Sequence, residues 1–192
     1  MKLMLNLKDI MIIKRKAIVR RKTKEVDVTV LVDLDERGYS IKTDIPFFNH
    51  MLETFAKHAD IKVNIEAEGD LEHHIIEDVA IALGIAIRRA LGDKKGIVRF
   101  GDAIVPMDDA IAICGLDISG RGYLNFDGNM DENYIHFLDS LCRNAGINAY
   151  LSVKGLNSHH IIEACFKAFG VAFGKAIKIV DRVIRSTKET LD

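Results

Sequence analysis

Two copies of one pentapeptide, His-His-Ile-Ile-Glu, carry the residue types best suited to chemistry in this chain of 192 residues. They start at His73 and His159 and hold four of the seven histidines. Residues four apart on a helix share one face, so the first histidine and the glutamate of each copy can bind one metal ion. These pairs are His73 with Glu77 and His159 with Glu163. The second histidine of each copy is rotated by about 100° and is free to bind a different ion.

The pentapeptides belong to a long internal repeat. A shift of 86 positions carries one copy onto the other and also carries His50 onto His136, with no gap between these anchors. Farther upstream the shift becomes 84, which carries the Arg-Gly-Tyr turn at 37–39 onto the one at 121–123. We therefore predict two homologous halves that share one core. The predicted boundaries are an N-terminal extension over 1–13, a first half over 14–98 and a second half over 99–192.

The repeat sorts the candidate ligands into two equivalent sets. We predict that ion one is held by His50, His74, His159 and Glu163, and ion two by His73, Glu77, His136 and His160. Imidazole and carboxylate donors suit Mn²⁺, Fe²⁺, Co²⁺ or Zn²⁺. A lone histidine is more often an ordinary surface or core residue, but two motifs in register with two further histidines favour metal binding.

Each half also has the same predicted order of secondary structure. The alternating stretches EVDVTVLVDLD and AIAICGLDIS indicate half-buried strands. Apolar residues at helical spacing indicate helices over 46–59 and 132–145, and each histidine pair opens a long apolar helix. Further strands are predicted over 61–69 and 147–155. The pattern favours an α+β fold of two sheets with the long helices packed between or on them.

The composition limits the classes of partner. Apolar residues make up 48% of the chain, and charged residues make up 29% but sum to a net charge of −1. We therefore predict no nucleic-acid or membrane partner, because such surfaces need clustered positive charge. Three cysteines without metal-ligand spacing argue against disulfides and thiolate sites, and favour a cytoplasmic protein.

Several motifs together resemble the imidazoleglycerol-phosphate dehydratase family, from about Ala17 to Leu191. They are PFFNHML, HHIIEDVAIALGIAIRRALGDKKGIVRFG, VPMDDAIAICGLDISGR, HHIIEACFKA and RSTK. The resemblance implies duplicated half-domains like the second domain of ribosomal protein S5, with helices sandwiched between two four-stranded sheets. It also implies a homo-oligomer in which trimers assemble into a 24-mer, with two Mn²⁺ ions at subunit contacts.

The same resemblance implies a hydro-lyase of histidine biosynthesis. Such an enzyme dehydrates D-erythro-imidazole glycerol phosphate to imidazole acetol phosphate, with the substrate imidazole bound to the metals as imidazolate. Glu25 matches the catalytic acid/base. The implied substrate-binding positions are Glu25, His50, His58, His73, His74, Glu77, Arg99, Arg121, His159, His160, Glu163, Lys167, Ser186, Thr187 and Lys188, the last three in a C-terminal tail.

Other interpretations stay open at this point. From spacing alone, Glu25 could be a plain strand residue, and the cations assigned to phosphate could be solvated surface charges. The same eight ligands would serve a metal-assembled shell that stores ions. A nucleic-acid-binding module is a third class, which the neutral charge balance disfavours.

Overall fold

A computed structural model describes residues 15–191, and the predicted extension over 1–13 lies outside them. These described residues form two four-stranded sheets and four helices. The first sheet contains β1 (Lys16–Lys22), β2 (Val26–Asp33), β3 (Gly38–Lys42) and β4 (Lys62–Gly69). The second contains β5 (Phe100–Met107), β6 (Ala110–Asp117), β7 (Tyr123–Asp127) and β8 (Asn148–Lys154). The helices are α1 (Pro46–Ala59), α2 (Glu72–Leu91), α3 (Glu132–Ala145) and α4 (Ser158–Ala176).

The two sheets have the same topology. Their strand orders are β1-β2-β4-β3 and β5-β6-β8-β7, and in each sheet only the last pair is parallel. Alternation explains the strands: in β2 the valines from Val26 to Val32 are buried, whereas Thr29 faces outward. The predicted α+β fold with duplicated halves is therefore confirmed.

The helices lie between the sheets and join the halves into one core. Helix α2 packs on β1 and β2 and against α3, whereas α4 packs on β5 and β6 and against α1. Each long helix thus covers its own sheet and contacts a helix of the other half. One continuous apolar cluster includes buried residues of both sheets and all four helices.

Helices α1 and α4 run in the same direction, which brings their N-terminal ends together. His50 near the start of α1 approaches Glu163 near the start of α4. Farther along, Gly170 of α4 packs on α1 so closely that a Cβ atom there would lie 3.0 Å from the Phe55 carbonyl oxygen. The parallel packing explains why the candidate ligands of two helices meet at one end of the molecule.

The chain after α4 returns along the linker that joins the two halves. Ile179 forms an isolated β-bridge with Ile97, and the Gly96 amide donates to the Val183 carbonyl. Leu191 is buried, and its carbonyl accepts a hydrogen bond from Lys94. The tail is thereby fixed near the C-terminal ends of the helices. Within residues 15–191, no helix is both long and apolar enough to cross a membrane.

Candidate metal centre and active site

Three predicted ligands of ion one converge at the N-terminal ends of α1 and α4. His159 Nε2 lies 3.0 Å from Glu163 Oε2, and His50 Nε2 lies 3.8 Å from the same oxygen. Their ligand atoms all lie within 4.8 Å of one another, and no other such group of three occurs among the described residues. We call these three residues the ligand trio.

Lys167 keeps the carboxylate of the trio ionised. Glu163 is only 8% exposed, and Lys167 Nζ lies 2.9 Å from its Oε1. Burial alone would raise the pKa of Glu163, but the hydrogen bond and charge of Lys167 lower that pKa below its usual value. One carboxylate oxygen therefore faces the lysine, and the other faces the two histidines. Lys167, which matched a substrate position, contacts a predicted ligand in this chain.

Aromatic packing holds the ring of His159. The Phe47 ring lies against it edge-on, with 5.1 Å between centroids, and Phe47 in turn contacts Tyr134 of α3 at 5.6 Å. Such edge-to-face contacts restrict the ring orientation.

His74, the fourth predicted ligand of ion one, does not join the trio within this chain. Its Nδ1 lies 2.8 Å from Asp70 Oδ1 and 4.0 Å from Glu25 Oε2. The hydrogen bond to Asp70 raises the pKa of His74 above that of an ordinary histidine.

His160, a predicted ligand of ion two, also has a carboxylate on Nδ1. Asp109 Oδ1 lies 2.5 Å from that nitrogen, and Asp108 Oδ2 lies 3.3 Å from Nε2. Asp109 Oδ2 accepts two backbone hydrogen bonds, from the amides of Leu156 and Asn157. The hydrogen bond to Asp109 raises the pKa of His160.

The other predicted ligands of ion two do not close into a metal-binding group in one chain. His73 and His136 are exposed and Glu77 is half-buried. The His73 ring lies beside that of His74, with 4.1 Å between centroids. Both four-ligand sets are therefore incomplete within a single copy.

Glu25 occupies the turn between β1 and β2. The Thr23 hydroxyl accepts hydrogen bonds from the backbone amides of Glu25 and Val26, which fixes the turn. The Glu25 side chain is 58% exposed and points toward His74. Its carboxylate is thus accessible beside a predicted metal ligand, as proton transfer requires.

A second feature is an open, positively charged pocket of about 540 Å³ at the opposite end of the molecule. Five of its lining residues were predicted to bind substrate: Arg99, Arg121, Ser186, Thr187 and Lys188. Others that the sequence patterns did not suggest are Ser119, Arg185 and Thr190. Cationic and hydroxyl groups converging on one cavity suit a phosphate group. We call it the cationic pocket.

Arg99 also lines this pocket but has fixed partners. Its Nε and Nη2 donate to both oxygens of Asp117, and its Nη1 donates to the Arg185 carbonyl. It therefore anchors the tail that forms the pocket wall.

His58 was also predicted to bind substrate, and it lies two turns along α1 from His50. That spacing places it about 12 Å along the helix from the trio. Its Nδ1 lies 2.8 Å from the Thr54 carbonyl oxygen.

The trio and the cationic pocket lie near opposite ends of α4. Glu163 is close to its N-terminus, whereas the Arg99 amide donates to the carbonyl of Ala176, its last residue. Thirteen residues of helix separate Glu163 from Ala176, which is about 20 Å at 1.5 Å per residue. One small phosphorylated molecule cannot reach both sites in the same chain.

Comparison with known proteins agrees with these features. A family model described as imidazoleglycerol-phosphate dehydratase matches residues 43–173. The chain is 53% identical over 180 residues to the imidazoleglycerol-phosphate dehydratase of Archaeoglobus fulgidus, covering 90% of this chain and 97% of that one. It is 50% identical over 190 residues to the one from Methanococcoides burtonii, covering 92% and 100%.

Solved structures give the same result. The imidazoleglycerol-phosphate dehydratase of Staphylococcus aureus aligns with a TM-score of 0.80 at 34% identity, covering 86% of this chain and 99% of that one. The Pyrococcus furiosus protein, solved in complex with (S)-C348, aligns with a TM-score of 0.81 at 36% identity, covering 90% and 100%. The chain belongs to the imidazoleglycerol-phosphate dehydratase family, the hydro-lyases of histidine biosynthesis.

Proposed function

We propose that this chain dehydrates D-erythro-imidazole glycerol phosphate to imidazole acetol phosphate at a dinuclear metal site that binds the substrate imidazole as imidazolate. The convergence of His50, His159 and Glu163 at ligand spacing is the observation that carries the proposal. The cationic pocket supports it by offering donors for the phosphate.

The donor set fits the proposed ions. Two imidazole nitrogens and one ionised carboxylate suit Mn²⁺, and also Fe²⁺, Co²⁺ or Zn²⁺. His74 from another copy would complete the site of ion one. The equivalent site of ion two would use His73, Glu77, His136 and His160. When bound, two such ions supply Lewis acidity that stabilises the anionic imidazole ring.

Glu25 is the proposed acid/base. The dehydration moves one proton from carbon and one hydroxyl from the adjacent carbon, which leave together as water, and the resulting enol becomes the ketone. An exposed carboxylate beside a metal ligand can accept that carbon-bound proton and release it with the hydroxyl as water, and ketonisation then moves the enol O–H proton to carbon. His58 and Lys167 are proposed as further contacts to substrate.

The phosphate needs fixed positive charge and hydroxyl donors. Arg121 and Lys188 supply the charge, and Ser186 and Thr187 supply hydroxyl groups from the same pocket. Arg99 contributes by holding the tail in place. Binding energy from the phosphate can then orient the imidazole at the metals.

The separation of the two sites supports a homo-oligomer. Because about 20 Å of helix separates the trio from the cationic pocket, each active site would combine elements of different copies. We propose trimers that assemble into a 24-mer in the cytoplasm, with no nucleic-acid or membrane partner.

The test uses metal-stripped protein, imidazole glycerol phosphate and added Mn²⁺. We expect formation of the ketone product only when the metal is restored, and no product from Glu163→Gln under the same conditions. Equal turnover in the presence of a strong chelator, or no turnover with any of the four metals, would contradict the proposal.

A further inference from the structure

Each half of the repeat places one carboxylate at the same point of the fold. Glu25 immediately precedes β2 and Asp109 immediately precedes β6, and the shift of 84 that aligns these strands carries one residue onto the other. The neighbouring histidines also correspond, because His74 and His160 are each the third residue of their helix. Each half therefore holds a carboxylate and a histidine at equivalent positions of the repeat.

The two carboxylates now have different contacts. Asp109 is fully engaged, since one oxygen lies 2.5 Å from His160 Nδ1 and the other accepts the amides of Leu156 and Asn157 at 2.7 and 2.9 Å. The Glu25 carboxylate makes no hydrogen bond within residues 15–191, and its closest approach to His74 Nδ1 is 4.0 Å.

A second carboxylate explains the difference. In the first half, Asp70 lies 2.8 Å from His74 Nδ1, in the position that Asp109 occupies on His160. The shift of 86 carries Asp70 onto Leu156, which has no carboxylate to offer. In each half one carboxylate thus contacts Nδ1 of the histidine, but the two carboxylates come from different positions of the repeat.

We propose that Asp109 is a positioning residue that fixes His160 for metal binding, and that Asp70 does this for His74 and so leaves Glu25 free for proton transfer. The inference deepens the proposed function and rests on it. It assigns a distinct part in the reaction to two residues, Asp70 and Asp109, that are not among the predicted ligand and substrate positions.

The physical reason lies in the imidazole tautomer. A carboxylate on Nδ1 holds the proton there and leaves the Nε2 lone pair available for a metal. In Asp109→Asn, the side-chain oxygen can still accept the Leu156 and Asn157 amides, so the loop is preserved. The new NH₂ group would then face His160 Nδ1 and favour the tautomer that carries its proton on Nε2.

The experiment measures Mn²⁺ affinity without substrate, and turnover separately. We expect Asp109→Asn and Asp70→Asn each to weaken Mn²⁺ binding by about 10- to 100-fold, the usual loss for a partner of a metal-bound histidine. Saturating Mn²⁺ should restore much of their turnover. Glu25→Gln should instead bind Mn²⁺ as the unmodified chain does and lose about 10²- to 10⁴-fold in kcat.

Asp102→Asn is the matched control, because Asp102 lies on the same hairpin as Asp109 but is 87% exposed at its side chain and away from the histidine. It should leave Mn²⁺ affinity unchanged. Melting temperatures of the metal-free variants show that the fold is intact, and Asp70→Asn repeats the test at His74, in the other half of the repeat. Unchanged Mn²⁺ affinity in both Asn variants would overturn the inference, as would an equal loss of affinity in Glu25→Gln. Metal binding without any turnover in the unmodified chain would instead count against the proposed function alone.

Discussion

His159 and Glu163 face each other across one turn of α4, with 3.0 Å between Nε2 and Oε2. The four-residue spacing of the pentapeptide predicts this pair, and His50 joins it from the parallel helix α1. The arrangement makes Glu163 the central residue of the trio, because both histidines approach the same carboxylate oxygen.

Replacing Glu163 by glutamine should therefore remove one ion of the proposed pair. The amide keeps the size of the side chain but loses the negative charge that binds the cation and pairs with Lys167. We expect one Mn²⁺ fewer per chain by elemental analysis and at least a 100-fold loss of kcat/KM. Glu66→Gln, on the outer face of the first sheet, is the control and should keep both ions. Full metal content in Glu163→Gln would contradict this assignment.

The two histidines of one pentapeptide should serve different ions. His74→Ala and Glu163→Gln are predicted to damage the same site, so the double variant should keep the ion that either single variant keeps. His73→Ala combined with Glu163→Gln should lose both ions, since His73 belongs to the other set. Metal counts on the two double variants test this division. Equal counts in both would show that the sets are assigned wrongly.

Removing charge from the cationic pocket should weaken substrate binding without affecting the metals. Lys188→Ala or Arg121→Ala removes a charge-assisted hydrogen bond worth about 1.5–3 kcal/mol, which corresponds to a rise in KM of about 10- to 150-fold. Mn²⁺ content should not change. Lys154→Ala, an exposed cation on β8, should leave KM unchanged. Loss of metal from the pocket variants would indicate that the pocket and the metal site are not separate features.

Metal-free protein should show an elevated histidine pKa at His74. Because Asp70 stabilises the imidazolium, His74 stays protonated to a higher pH than an ordinary histidine. This contact stabilises the metal-free fold below the usual histidine pKa, and its contribution is lost as the pH rises through the raised value. NMR titration of the ring protons measures the pKa of His74. Asp70→Asn should lower the pKa of His74 and leave that of His160 unchanged. An unchanged His74 pKa in this variant would exclude the contact between Asp70 and His74.

Much of the fold follows from local sequence patterns. The helices predicted over 46–59 and 132–145 are α1 and α3, because apolar spacing and tight ends such as Gly146 in the left-handed region define them locally. The duplication predicts that both sheets have one topology, as they do. The trio follows from helical spacing together with the repeat.

The contacts that the sequence did not predict depend on tertiary packing. Asp109 reaches His160 only because the β5–β6 turn lies against the loop before α4, although the repeat shift from Glu25 could have indicated it. Arg99 binds Asp117 and the tail, since the chain after α4 folds back over the linker. The repeat also groups ligands into sets whose members lie apart within a single chain. The amino-acid sequence alone does not show which copy of the chain supplies each ligand.

Each active site is proposed to combine the trio of one copy with the cationic pocket of another. Two inactive variants test it most directly: Glu163→Gln, which lacks a working trio, and Arg121→Ala/Lys188→Ala, which lacks a working pocket. They are stripped of metal, mixed and reassembled with Mn²⁺. If sites form between copies, random mixing restores intact sites and up to about a quarter of the normal turnover. If each site lies within one chain, the mixture stays as inactive as its two components, which would contradict active sites shared between copies.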